Sequence, residues 1–139
     1  MLFPKKVKHR KWQTGRLSKE RRSRPETRGI SVSFGAYGLK AETQARVAAN
    51  QIEAARRALQ RAGGKTAKVW VRIFPDKPIT QKAAEVPMGK GKGDPSRYVF
   101  EVRPGRIIFE IDGVTESVAR ESLRKAGCKL PLRARVVAR

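Results

Sequence analysis

The sequence predicts an α+β fold: a single domain with a mixed sheet and two helices, an extended basic N-terminal arm, and a long loop tipped with glycine and lysine. Three observations lead there. Apolar residues recur at helical spacing in two stretches, one ending at Ala62 and one at Ala126. Elsewhere they alternate with polar residues at strand spacing. The first 29 residues follow neither period and are dense in Lys and Arg. At 139 residues and 39% hydrophobic, the chain is long enough for one core and too short for two comfortable ones. The division expected is an arm over 1–29 and an α+β body over 30–139.

In the arm, Lys5, Lys6, Lys8, Arg10, Lys11, Arg16, Lys19, Arg21, Arg22, Arg24 and Arg28 oppose only Glu20 and Glu26. Alone in water, so basic and apolar-poor a segment is expected to be disordered. Beside a polyanion it threads along phosphates. Phe3 and Trp12 are planar groups suited either to stacking on bases or to packing on the body, and both readings stand.

The body opens with Ile30, Val32 and Phe34 alternating with Ser31 and Ser33, the period of a half-buried strand. Gly35 and Gly38 bracket a turn around Tyr37, and Leu39-Lys40-Ala41 returns as a second strand. A helix then runs from Gln44 or Ala48 to Ala62. Its apolar face is Ala48, Ile52, Ala55, Leu59 and Ala62. Arg46, Asn50, Arg57 and Arg61 lie away from that face, and Glu53 pairs with Arg57 one turn on. Gly63-Gly64 ends it. The run Gly63-Gly64-Lys65-Thr66 looks like the end of a nucleotide-binding P-loop. That reading fails, because Leu59 stands where the first glycine is needed and the order of helix and strand is reversed.

Residues 68–74 read as a strand, Val69, Val71 and Ile73 on one face and Trp70, Arg72 and Phe74 on the other, terminated by Pro75 and Pro78. The connection 75–95 is long for so small a domain, and such loops tend to be functional or disordered. Its tip, Met88-Gly89-Lys90-Gly91-Lys92-Gly93-Asp94, alternates glycine with lysine. A loop tip touching a nucleic-acid backbone is one reading, and a flexible solvated turn the other. Residues 97–102 and 106–111 read as a hairpin, with Pro104-Gly105 suited to the centre of a type II turn. A second helix follows Thr115 as N-cap, with Ala119, Leu123 and Ala126 on one face, and Gly127 stops it. Residues 130–137 form a last strand.

Charge narrows the function. Lys and Arg number 33 against 12 Asp and Glu, a net charge of +21 and a pI near 11.4. Self-repulsion on that scale calls for a polyanionic partner, nucleic acid first and an anionic membrane surface second. One cysteine, Cys128, excludes an internal disulfide, and one His and one Cys far apart do not make a zinc site. No metal or cofactor is expected. No apolar run approaches the roughly 20 residues a membrane helix needs, and no signal-peptide core is present. A cytoplasmic, unprocessed chain without membrane contact or homo-oligomer is expected. Asp76, Glu85, Asp94, Glu101 and Asp112 surround the loop and hairpin, but neighbouring cations and turns account for them. His9 lies in the arm, and no nucleophile–base pair is legible, so an enzyme is not expected. A ribonucleoprotein component and a free-standing basic RNA-binding protein both remain open on these grounds.

Longer motifs add to this. The run Gln51-Ile52-Glu53-Ala54-Ala55-Arg56-Arg57 resembles a helix of the bacterial large-subunit ribosomal protein family numbered sixteen. So do the opening Met1-Leu2-Phe3-Pro4-Lys5, the block Arg72-Ile73-Phe74-Pro75-Asp76-Lys77-Pro78-Ile79-Thr80, the Met88 to Gly93 tip, Arg103-Pro104-Gly105-Arg106, and Lys129-Leu130-Pro131. The resemblance runs from end to end in one order. It implies an α/β-hammerhead domain bound to large-subunit rRNA, with neighbouring large-subunit proteins, in a cytoplasmic or organellar ribosome. It implies an arm and a glycine-lysine loop pointing toward tRNA in the aminoacyl site near the peptidyl transferase centre. The residues taken as rRNA contacts are Lys5, Lys6, Lys8, Arg10, Lys11 and Arg16 in the arm, and Arg46, Arg56, Arg57, Arg61 and Arg72 in the body. Those taken as tRNA-facing are Met88, Gly89, Lys90, Gly91, Lys92 and Gly93. The chain departs from the family pattern at Pro87, where an arginine is common, and at Ala48, where Thr or Ser usually caps the helix.

Overall fold

The most apolar strand sits deepest. In the computed structural model, which describes residues 1–14 and 18–139, β6 (Ile107–Asp112) is buried at every position but the last. β3 (Lys68–Val71) and β1 (Tyr37–Ala41) flank it, and β7 (Ala134–Ala138) lies outermost beside β1. In register, Val69 and Tyr37 stand opposite Ile111, and Leu39 and Val71 opposite Phe109. A second sheet places β5 (Asp94–Val102) between β2 (Ala45–Ala48) and β4 (Lys77–Gln81). Every pairing in both sheets is antiparallel. The α+β class therefore stands, with the strands divided between two sheets.

Two helices cover one face. α2 (Ala49–Gly63) buries Ile52, Ala55 and Leu59, and α3 (Glu116–Gly127) buries Ala119, Leu123 and Ala126, the spacings read from the sequence. They pack on each other and against the first sheet. Val47 and Val102 of the second sheet join Leu39, Phe109 and Ile111 of the first in one core. Ala48 has no side-chain oxygen to cap α2. Gln51 Oε1 instead accepts from the Ala48 N–H at 2.9 Å, which supplies one half of a capping box. A short α1 (Lys19–Ser23), capped by Ser18, lies in the arm.

Three expectations are corrected. The Pro104-Gly105 turn forms as predicted, with Gly105 at φ +98° and the Arg106 N–H donating to Arg103 O at 3.3 Å. Its flanking strands nevertheless do not pair as a hairpin. Both edges of β6 are taken by β3 and β1, and both edges of β5 by β2 and β4, so the turn carries the chain from one sheet to the other. Residues 77–81, expected as loop, form β4 despite Pro78. β4 is an edge strand, where a missing N–H donor is tolerated. That leaves 82–93 as the loop. Residues 45–48 form β2, which excludes the helix start at Gln44, while Ala48 stands as the N-cap of α2.

Residues 30–34 also form no strand, and Glu110 is the reason. Along β6, Phe109 and Ile111 face the helices, so Glu110 faces the other way. Its side chain is 0% exposed. The N–H groups of Ser33, Phe34 and Gly35 converge on its carboxylate, at 2.6 Å from Phe34 and 2.9 Å from Gly35. The Arg72 guanidinium donates to its other oxygen. Donors pointing to one acceptor cannot also serve a strand ladder. Gly35 permits the approach, since a Cβ there would fall 2.6 Å from Ile111 O. Burial pushes the Glu110 carboxyl up, but the three backbone donors and Arg72 outweigh it and hold the group below the ordinary carboxylate value.

Replacing Glu110 by Gln should destabilise the fold by about 3 kcal/mol, because Arg72 loses its buried partner. Denaturant unfolding measures this. A depressed carboxyl contributes its stability fully above its unfolded value of about 4.5 and loses it as pH falls through the lower folded value. The parent should therefore lose stability on acidification below pH 4.5 more steeply than Glu110→Gln. Parallel pH profiles would remove Glu110 from this role.

Candidate nucleic-acid interface

The β4–β5 register ends at Gln81 opposite Asp94, and residues 82–93 project beyond it. Three consecutive residues of the tip adopt positive φ: Gly89 at +106°, Lys90 at +52° and Gly91 at +91°. A Cβ on either glycine would meet nothing within 4 Å, so glycine is required here for backbone conformation and not for packing. Met88 is 99% exposed. The tip is braced from its base, where Lys82 Nζ donates to Gly89 O.

The arm crosses that base. Lys11 Nζ donates to Lys92 O at 3.1 Å and pairs with Asp94 Oδ1 at 3.3 Å. Lys92 Nζ returns a hydrogen bond to Trp12 O. Two segments some 80 residues apart, both read from the sequence as RNA-facing, thus meet through reciprocal lysine–carbonyl contacts. The arm is also held at its start. Leu2 packs on the core, and Met1 and Leu2 line a groove of about 480 Å³ with Glu53, Arg56, Arg72 and Arg106. Between these points Lys5, Lys6, Lys8 and Arg10 are exposed, and none of them forms an ion pair among the described residues. Phe3 and Trp12 are exposed at 59% and 41%. Arg16 lies outside the described residues.

On the body, acids are outnumbered. Glu53 Oε1 and Oε2 accept a bidentate pair from Arg56 at 2.8 and 2.9 Å, and Oε1 also accepts from Arg57 Nε at 2.9 Å. The two guanidinium hydrogen bonds bring the Glu53 carboxyl down to about 2. Glu101 Oε1 serves both Lys77 Nζ at 2.5 Å and Arg46 Nε at 3.1 Å, Arg46 being its register partner across β2 and β5. Burial pushes Glu101 up, and the two cations bring it below the ordinary value. Each cluster holds two cations with one carboxylate, so the arginines are oriented yet one positive charge remains. Outward-facing Arg61 adds a cation in the last turn of α2. α3 differs: Glu116 pairs with Arg120 and Glu121 with Lys125, one for one. Exposed Arg124, in no ion pair among the described residues, is left over on α3, so what sets α2 and the second sheet apart is that two cations share one carboxylate there.

Two residue groups escaped the sequence reading. Arg21 and Arg103 line one cleft with Arg46 and Glu101, and Arg97 lines another with Arg46 and Asn50. Arg103 was visible in the Arg-Pro-Gly-Arg turn. The position of Arg97 was not legible, because it depends on the unexpected pairing of β5 with β4. Arg72, read as an rRNA contact, is brought to Glu110 and lies 5.0 Å from the Phe34 ring centroid. Among the described residues, no group of three His, Cys, Asp or Glu comes together as metal ligands would, and no helix is long and apolar enough to cross a membrane.

A model of the family described as ribosomal protein L16p/L10e matches residues 4–137. The chain is 52% identical over 139 residues to the large ribosomal subunit protein uL16 of Polaromonas naphthalenivorans (strain CJ2), covering 100% of this chain and 97% of that relative.

The contact between arm and loop yields a prediction. Asp94 is 86% exposed in its side chain, and exposed pairs contribute at most about 1 kcal/mol, so Asp94→Ala should leave global stability nearly unchanged. Amide exchange at residues 10–13 should quicken several-fold, because fewer contacts hold that stretch. Unchanged exchange there would mean that Lys11–Asp94 does not hold the arm.

Proposed function

The chain belongs to the ribosomal protein L16p/L10e family, and on that premise we propose that it is a structural constituent of the large ribosomal subunit that binds rRNA and faces tRNA in the aminoacyl site. Lys5, Lys6, Lys8, Arg10, Lys11 and Arg16 run along rRNA phosphates. Arg46, Arg56, Arg57 and Arg61 bind a second stretch of backbone, and Arg72 acts mainly through Glu110. The tip from Met88 to Gly93 reaches tRNA. No chemical step is assigned to the protein. It supplies cations and position.

The observation that carries this reading is the meeting of arm and loop at Lys11, Trp12, Lys92 and Asp94. An arm anchored on rRNA would then fix the direction of the tip. Carboxylate-held arginines favour backbone recognition, since their donors are set in place before binding. Structured RNA offers a major groove too narrow for side chains to read, which again favours phosphate and shape.

Lys90→Ala/Lys92→Ala, reconstituted into large subunits, tests the tip. Incorporation should be normal and aminoacyl-tRNA binding weakened. The log–log slope of that binding against salt should fall by roughly one unit for each phosphate that no longer meets a lysine. Failure to incorporate would make the tip an rRNA anchor and withdraw the tRNA role. Release of the parent chain from subunits at moderate salt would favour a free-standing RNA-binding protein.

A further inference from the structure

The face of the first sheet turned away from the helices carries an aromatic cluster that the arm and loop do not use. Trp70 and Arg72 are two residues apart on that face, and Trp70 stands opposite Glu110 in register. The Phe34 ring stacks with Trp70 at 6.3 Å between centroids and 20° between planes. Arg72 Cζ approaches the same ring to 5.0 Å. Phe34 is nevertheless 57% exposed. Its backbone does not drift, because its N–H is fixed 2.6 Å from the buried Glu110 carboxylate. The result is an aromatic side chain packed on Trp70 and Arg72 and still more than half open to solvent.

We propose that Phe34, backed by Trp70 and Arg72, is a stacking platform for an unpaired nucleobase of the bound RNA. The inference rests on the RNA-binding reading above and names a contact within it. Three features select the occupant. An exposed aromatic ring on a fixed backbone suits a planar partner, and stacking tolerates any base. Cations stand nearby: Arg139 lines a cleft beside Phe34 together with Asp112, and exposed Lys68 lies two residues before Trp70 on the same strand. These suit the phosphates flanking a splayed base, while Asp112 suits a base amino group. A protein partner fits poorly, since one aromatic pair ringed by charge falls far short of the roughly 800 Å² per partner of a stable interface.

The test compares full-length parent, Phe34→Leu and Phe34→Trp on an unstructured single-stranded RNA and on duplex RNA of the same length. Elevated salt suppresses the phosphate contribution. Phe34→Leu should lower single-strand affinity about tenfold and leave duplex affinity unchanged, because a duplex offers no free base face. Phe34→Trp should retain the parent's affinity. The side chain of residue 34 takes no part in the Glu110 anchor, and unfolding midpoints verify that both variants fold. As an independent readout, single-stranded RNA carrying 4-thiouridine should crosslink the parent chain at the peptide bearing Phe34. Equal single-strand affinities of parent and Phe34→Leu, or crosslinks confined to arm and loop, would overturn the platform. So would a neighbouring ribosomal protein crosslinked at this face in assembled subunits. Failure of the parent to bind either RNA would instead sink the RNA-binding reading.

Discussion

A carboxylate with no access to water organises one side of this molecule. Glu110 sits in the strand that the sheet surrounds, on the face the helices do not cover. A buried charge is tolerated only when its hydrogen-bonding capacity is filled. Here Ser33, Phe34 and Gly35 fill it from the backbone and Arg72 from a side chain. Several features follow from that one requirement. Residues 30–36 are drawn over the sheet instead of joining it. Phe34 is delivered to Trp70. Arg72 is turned inward, and its backbone carbonyl accepts from Arg106, which also donates to Arg28 O where the arm enters the body. The covering segment and the arm's point of entry are thus tied together through one acid.

The same chemistry recurs on the surface with a different outcome. Glu53 and Glu101 each hold two cations at fixed positions without cancelling them. A protein of net charge +21 gains from this arrangement, since scattered flexible cations would have to be ordered on binding. The i,i+4 pairs of α3 are one for one, with exposed Arg124 beside them, and that helix buries its apolar face in the core. Where the twelve acids fall among the thirty-three bases therefore decides which cations are held in place.

Much of the fold was legible because it rests on local rules. The apolar spacings of Ile52, Ala55 and Leu59, and of Ala119, Leu123 and Ala126, identified both helices. The Pro104-Gly105 dihedral preferences identified the turn. The basic arm and the glycine-lysine tip were likewise visible, as was the family resemblance. The failures share one cause. Alternation at Ile30, Val32 and Phe34 satisfies the strand period, but the period carries no information about a carboxylate 76 residues away in sequence. Sequential strands with a good turn predict a hairpin, but the turn does not record that the edges of β5 and β6 are already occupied.

Local propensity, periodicity and charge, all legible along the chain, determined that this would be an α+β protein seeking a polyanion, with two amphipathic helices and two basic projections. Tertiary structure alone decided where those parts meet: Lys11 with Asp94, Arg46 with Glu101, Arg72 with Glu110, Phe34 with Trp70. Each of these pairs joins residues more than 30 positions apart. Their meeting depends on which sheet edges are free and which polar groups must be satisfied once water is excluded, and no local pattern encodes either.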